Sequence, residues 1–269
     1  MASLSLFTKY EVGGQKSEVG SLKSEISHRT SDIRPLTSDL RQMLSKDEIK
    51  KYTAQQAVAL VQNNSIVGLG SGTTAWHFTV ALGALVKKGF TVTAVPTSHE
   101  IKKLAIEQGI TITELNNVTA IDLTVDGADE IDPSLQLIKG GGGALLQEKM
   151  VAAVSKKLVI VADDSKLVKQ LGKFPLPLEV VPYGWKQVQR VIEKKYSIKT
   201  TLRLQNNQPF ITDHGHYILN CPFQTIANAP VLCSELNLIP GVVDNGLFIG
   251  LAQKAIIGYE DGSFKTIEG

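Results

Sequence analysis

The sequence predicts an α/β fold, with a Rossmann-like parallel sheet domain and a smaller inserted α+β domain. Three observations predict it. Short β-branched runs alternate with helical spacings from Ser45 to Ala162, the order that builds a parallel, doubly wound sheet. Several runs end in glycines, hydroxyls or carboxylates, where open α/β sheets place their ligands. Composition then shifts at Gly172–Pro182, GKFPLPLEVVP, and the strands that follow are short enough for an antiparallel sheet. The expected layout is 1–42 as a disordered extension, 43–173 with 242–269 as the main domain, and 174–241 as the small one.

Composition excludes several classes. The 269 residues are 43% hydrophobic and 20% charged, ordinary for a globular protein. A net charge of +2 gives no reason to expect nucleic acid or an anionic membrane. Cys221 and Cys233 make no disulfide framework and lack metal-site companions. No apolar run is long enough to span a bilayer.

Met1 to Gln42 is rich in Ser and Gly and has little apolar periodicity. A seven-residue repeat (Lys9-Glu11-Val12, Lys16-Glu18-Val19, Lys23-Glu25-Ile26) is interrupted by Gly13, Gly14 and Gly20, which oppose a stable helix. It lacks the second apolar position of a heptad and the apolar core of a secretory signal.

Ser45 to Val61 reads as a helix. Ser45 followed by Glu48 is a capping-box pattern, and Ile49, Ala54, Ala57, Val58 and Val61 form its buried stripe. Ser65–Leu69 is a strand, followed by Gly70-Ser71-Gly72-Thr73-Thr74 and a helix over Ala75–Lys87. A glycine-rich turn feeding a helix presents N–H groups and the positive dipole end to an anion. The hydroxyls of Ser71, Thr73 and Thr74 suit a phosphomonoester. The dinucleotide fingerprint would need glycine at Thr73, and no Gly-Lys pair makes a P-loop. His77, beside Trp76 and Phe78, reads as a packed core residue. Val92–Val95 is a strand whose loop, with Thr97 and Ser98, falls at a carboxyl end. Glu100–Gln108 is a helix and Ile110–Leu115 a strand.

Ile121 to Met150 is the densest stretch chemically. A buried strand, Ile121–Val125, runs into four carboxylates, Asp126, Asp129, Glu130 and Asp132. A second strand, Leu135–Ile138, meets Lys139 and Gly140 to Gly143. The helix Ala144–Val154 follows, with Leu146, Met150 and Val154 as its apolar stripe, which places Glu148 off the core face. The acids, Lys139, glycine N–H groups and Glu148 are expected to converge. Such a set removes a proton from carbon and holds the resulting oxyanion.

Lys157–Ala162 is a strand ending at Asp163, Asp164, Ser165 and Lys166, where Asp164 or Ser165 suits a helix cap. The three prolines of Gly172–Pro182 suggest an edge strand. Trp185–Lys194 is a helix. Thr200–Leu204, Phe210–Thr212 and Tyr217–Asn220 are strands, and Phe223–Leu236 contains a helix. His214 and His216 flank Gly215 in a turn, too few for a metal site. Val242–Leu251 and Lys254–Gly258 return to the main domain.

The motifs VDGADEID and KGGGGALLQEK resemble ribose-5-phosphate isomerase of the A type, and the match runs from about Leu44 to Gly269. Gln147 departs from the arginine frequent there, as does the fourth glycine from the usual alanine. The resemblance implies interconversion of D-ribose 5-phosphate and D-ribulose 5-phosphate through an enediolate, in the non-oxidative pentose phosphate pathway, with no organic cofactor or metal. It implies Glu148 as the base and Asp126 as assisting ring opening or proton movement. Lys139 and the N–H groups of Gly140, Gly141 and Gly142 would stabilise the enediolate. Asp129 would bind sugar hydroxyls and hold Lys139 in place. Ser71, Gly72, Thr73, Thr74, Gly127, Ala128, Lys166 and Lys50 complete the implied substrate site. A cytoplasmic homodimer or homotetramer is expected.

Two rivals remain in view. A sugar-phosphate sensor of this fold would be expected to lack the proton-carrying carboxylate, yet Glu148 is present. A nucleotide-dependent dehydrogenase is disfavoured by Thr73.

Overall fold

A computed structural model describes residues 43–269. The extension expected over 1–42 lies outside the described residues. Helix α1, Lys46–Val58, begins where Ser45 predicts: Ser45 Oγ accepts from Glu48 N, and the Glu48 carboxylate accepts from Ser45 N at 2.9 Å. Its expected stripe is buried, Val61 included. Strand β1, Ser65–Leu69, leads to α2, Thr73–Val86, and β2, Val92–Pro96, to α3, His99–Glu107. Strand β3 is only Thr111–Ile112, and Leu115–Asn117 forms a single 3-10 turn. Strand β4 is Leu123–Asp126, β5 Glu130–Ile131 and β6 Leu137–Ile138; α4 is Leu145–Ala153 and β7 Leu158–Asp163.

Next come β8, Leu176–Val180; α5, Trp185–Tyr196; β9, Thr201–Leu202; β10, Leu204–Gln205; β11, Gln208–Pro209; and β12, Tyr217–Cys221. The chain ends with α6, Ala229–Asn237; β13, Val242–Asn245; β14, Leu247–Phe248; β15, Lys254–Gly258; and β16, Phe264–Glu268.

The main sheet has the order β16-β15-β7-β4-β1-β2-β3, parallel except for β16. From β1 the chain steps one way to β2 and β3, then returns to the other side with β4. The crevice between the carboxyl ends of β1 and β4 is therefore the topological switch point, where ligands bind. One apolar cluster, with Leu69, Phe78, Val125 and Val161, packs under α1 to α3; another, with Ile160, Phe248 and Ile257, fills the opposite side.

A second, antiparallel sheet, β13-β8-β12-β9, packs with α5 and α6 around Leu178, Ile192, Leu219 and Leu236. A small sheet, β14-β6-β5, pairs the segment between β4 and β7 with the one between β13 and β15 and carries Lys139 at the end of β6.

Several elements differ from expectation. The strand entering the second sheet is internal, not an edge. The Pro177 carbonyl accepts from Gly246 N at 2.8 Å, just beyond the last β13 pair, Asn245 with Leu178. A residue's N and C=O share one side of a strand, so the missing proline N–H falls past the end of the ladder. Strand β13 pairs with β8, so the chain leaves the second sheet after Asn245 and rejoins the main sheet at Lys254. Phe210–Thr212 is not a strand. The hairpin β10–β11 lies upstream, turning at Asn206 and Asn207 with φ of 51° and 60°, as a type I′ turn requires. Among the described residues, no helix is long and apolar enough to cross a membrane.

Candidate active site

The site is built where the ends of β1, β4, β6 and β7 meet the starts of α2 and α4. At the end of β1, Gly70 N donates to Val125 O, and Ser71 N donates to Asp126 Oδ1 at 3.1 Å. The Asp126 carboxyl packs so closely that a Cβ on Gly70 would lie 2.2 Å from it; glycine is the residue that fits. Asp126 Oδ1 also accepts from Gly127 N at 2.7 Å, while Oδ2 lies 3.0 Å from Lys139 Nζ. Lys139 Nζ donates to Gly127 O at 2.6 Å and lies 3.3 Å from Glu148 Oε2. All three ionisable groups are buried. The Glu148 contact has the distance of an ion pair but not the angle of a hydrogen bond, so Oε2 is buried without a hydrogen-bond donor.

Two carboxylates around one ammonium leave a buried excess of negative charge, and one bound proton removes it. Burial raises the Asp126 pKa, only partly offset by Lys139 and the two N–H donors. Burial likewise pushes Glu148 up to about 8; Lys139 opposes the rise and the Asp126 charge adds to it. For Lys139, burial alone would lower the pKa, but the two carboxylates outweigh it and hold it above the ordinary lysine range. Burial thus favours one proton held between the two carboxylates, Asp126 and Glu148.

A cavity of about 130 Å3, open to solvent, lies above this cluster. Lys50, Ser71, Gly72, Thr73, Thr74, Gly127, Ala128, Asp129, Lys139, Gly140, Gly141, Gly142, Glu148 and Lys166 all line it. The N-terminus of α2, whose dipole favours an anion, lines it together with Lys50, Lys166 and the Lys139–Glu148 pair. Asp126 alone of the expected residues does not line the cavity; it lies beneath Lys139.

Other expectations need correction. Asp129 does not hold Lys139; its Oδ2 accepts from Gly141 N at 2.8 Å, and a Cβ on Gly141 would lie 2.5 Å from Asp129 Oδ1. Two of the four acids turn away. Glu130 accepts from Gly172 N and Phe174 N, and Asp132 accepts from Ser134 N and Gln136 N. The buried face of α4 is Leu145, Glu148, Val151 and Ala152, whereas Met150 and Val154 are exposed. That helix is apolar on nearly every side, so spacing does not select its inner face. Thr97 and Ser98 bind Ser71 Oγ at 2.8 and 2.9 Å from behind and brace the loop.

His77 bonds Asp47 at 2.9 Å, and His216 bonds buried Glu179 at 2.9 Å. Among the described residues, no group of three or more His, Cys, Asp or Glu could hold a metal ion. Asp163, at the end of β7, also lines the cavity and caps Ser165 N. The acid pair after KLVIVA is its sequence signal, and the cap falls on Asp163 rather than Asp164 or Ser165.

A family model described as ribose 5-phosphate isomerase A (phosphoriboisomerase A) matches residues 93–262. A Bacillus cereus protein named ribose-5-phosphate isomerase A is 49% identical over 215 residues, covering 80% of this chain and 97% of its own length. This chain belongs to the ribose-5-phosphate isomerase A family. A Rhodopseudomonas palustris protein of the same name is 48% identical over 225 residues, 81% of this chain and 93% of its own. Among solved structures, a D-ribose-5-phosphate isomerase in complex with phospho-erythronic acid matches with a TM-score of 0.81 at 38% identity, covering 84% of this chain and 100% of that one. The family's Methanocaldococcus jannaschii structure matches with a TM-score of 0.79 at 39% identity, covering 84% and 100%.

Proposed function

We propose that this chain interconverts D-ribose 5-phosphate and D-ribulose 5-phosphate through an enediolate, with Glu148 as the base that carries the proton. The observation behind the assignment of the base is Glu148 Oε2, buried beside Lys139 with no hydrogen bond, on the cavity wall. The phosphate would sit at Gly72, Thr73 and Thr74 with Lys50 and Lys166, which places the sugar's other end toward Lys139 and Glu148. After ring opening, ionised Glu148 takes the C2 proton and returns it to C1. A second proton moves from O2 to O1, so the sum is balanced. Negative charge gathers on O1 and O2 between these transfers. Lys139 and glycine-loop N–H groups are the nearby donors that can stabilise it without rearranging.

Asp126 then acts through Lys139, since both of its oxygens are engaged below the cavity. The phospho-erythronic acid bound by the solved relative has a phosphate at one end and a carboxylate at the other. A carboxylate spreads charge over two oxygens much as an enediolate does, so a ligand of this kind resembles the proposed intermediate.

We also propose that residues 174–241 with β13 form the small α+β domain, supported by its own sheet and apolar cluster. A homodimer or homotetramer is proposed, with the exposed Met150 and Val154 in support. A cytoplasmic setting is proposed, consistent with two free cysteines. The activity is tested by incubating the protein with ribose 5-phosphate and no added cofactor. Ribulose 5-phosphate should accumulate to equilibrium, and its absence would refute the reading.

A further inference from the structure

Arg203 lies just after β9 in the second sheet, outside every motif that pointed to the site. Its Nη1 donates to Gly140 O at 2.9 Å and to Gly141 O at 3.1 Å. Its Nη2 donates to Asn220 Oδ1 at 2.7 Å, and its guanidinium lies over the Phe210 ring at 5.9 Å. The backbone is fixed too: Arg203 N donates to Ile218 O, and Phe210 N donates to Arg203 O. The guanidinium is thus anchored in the second sheet while it grips two successive carbonyls of the glycine loop.

A trans peptide is planar, with its C=O and N–H pointing in opposite directions. Holding Gly140 O therefore aims Gly141 N–H the other way, and it meets Asp129 Oδ2 at 2.8 Å. Holding Gly141 O aims Gly142 N–H away from Arg203. Gly142 lines the cavity, and a Cβ there would meet nothing within 4 Å. A run of glycines has little stiffness of its own, so the orientation of these donors must be imposed from outside the loop.

We propose that Arg203 is a positioning residue for the isomerisation: it fixes the Gly140 and Gly141 peptide planes so that the Gly142 N–H is presented to the developing enediolate and Asp129 to the sugar hydroxyls. It touches no substrate. The inference rests on the proposed isomerase reading and adds to it a dependence of the chemical step on the second sheet.

The test uses the full chain with Arg203→Ala and Arg203→Lys. It measures kcat and KM for ribose 5-phosphate, and inhibition by phospho-erythronic acid and by inorganic phosphate. Loss of one preorganised donor lowers kcat about 10²–10³-fold; for donors misdirected rather than deleted, Arg203→Ala should lower kcat about 10- to 100-fold. Phospho-erythronic acid should weaken by a similar factor. KM and phosphate inhibition should stay within about threefold, because Arg203 contacts none of the residues proposed to hold the phosphate. Added guanidinium ion should restore part of the lost kcat.

Arg203→Lys, whose ammonium cannot span both carbonyls and Asn220, should show the same split and decides the matter if the alanine variant does not fold. Wild-type kcat and analogue affinity in a folded variant would overturn the proposal. So would equal weakening of analogue and phosphate, which would mark a general collapse of the site. If the unaltered protein does not convert ribose 5-phosphate, the isomerase reading itself fails; if it does and the variants match it, only the role of Arg203 fails.

Discussion

Lys139 Nζ stands 3.3 Å from Glu148 Oε2, yet that oxygen accepts no hydrogen bond. The ammonium is occupied by Asp126 Oδ2 and the Gly127 carbonyl. Glu148 thus feels the positive charge while keeping a lone pair uncommitted. A base needs both features: enough nearby positive charge to ionise in a buried site, and an oxygen free to meet a C–H bond.

The pH dependence of kcat/KM should report this cluster. Burial pushes Glu148 up to about 8, and only its ionised form removes a proton. Below that pH, kcat/KM should therefore fall roughly tenfold per unit. A steady-state profile on ribose 5-phosphate checks this; a flat profile between pH 6 and about 8 would contradict the expected ionisation.

Stability should run the other way. Glu148 in the fold titrates above its unfolded value near 4.5, so over that interval the native state holds a proton that the unfolded state has lost. Its contribution is fully present below the unfolded pKa and is lost as pH rises through the folded pKa. Thermal unfolding across pH 5 to about 8 should show a smaller decline in Glu148→Gln than in the unaltered protein. Equal declines would mean that Glu148 is not the group taking up the proton.

Thr74 lines the cavity beside Ser71, Gly72 and Thr73, the residues proposed to hold the phosphate. Thr74→Ala should raise KM with little change in kcat, because a hydrogen bond to a charged group is worth about 1.5–3 kcal/mol. Unphosphorylated ribose should be a very poor substrate. Comparable kinetics for ribose and ribose 5-phosphate would remove the anion site from the account.

Gly70→Ala tests the packing beneath the site. Its Cβ would lie 2.2 Å from the Asp126 carboxyl, and overpacking typically costs about 1–3 kcal/mol. Displacing Asp126 also loosens Lys139, so the variant should lose both melting temperature and kcat. Unchanged values for both would show that the Asp126–Lys139 contact is not confined as described.

Much of this was legible in the sequence because chemistry and chain direction coincide. Ser71 to Thr74 and Asp126 to Asp129 each follow an apolar strand directly, so their place at a sheet end could be read. Less local features could not. The inner face of α4 was misassigned because Leu145, Leu146, Met150, Val151 and Val154 leave no polar side to orient it. Glu130 resembles its neighbours in sequence, yet it bonds Gly172 N and Phe174 N, residues far along the chain. Strand β16 shows no buried pattern because most of it is exposed at a sheet edge. Arg203 reaches the glycine loop from a different sheet, and no spacing encodes that approach.

Glu148→Gln is the most direct test of the base. The substitution keeps size and helix propensity while removing the proton acceptor, and a general base contributes about 10²–10⁴-fold in rate. The folded variant should bind phospho-erythronic acid and turn over ribose 5-phosphate at least about a hundredfold more slowly. In deuterated water the unaltered protein should carry solvent deuterium into the sugar, and the variant should lose that exchange in step with its turnover. A folded Glu148→Gln with near-normal turnover and exchange would contradict the assignment of Glu148 as the proton carrier.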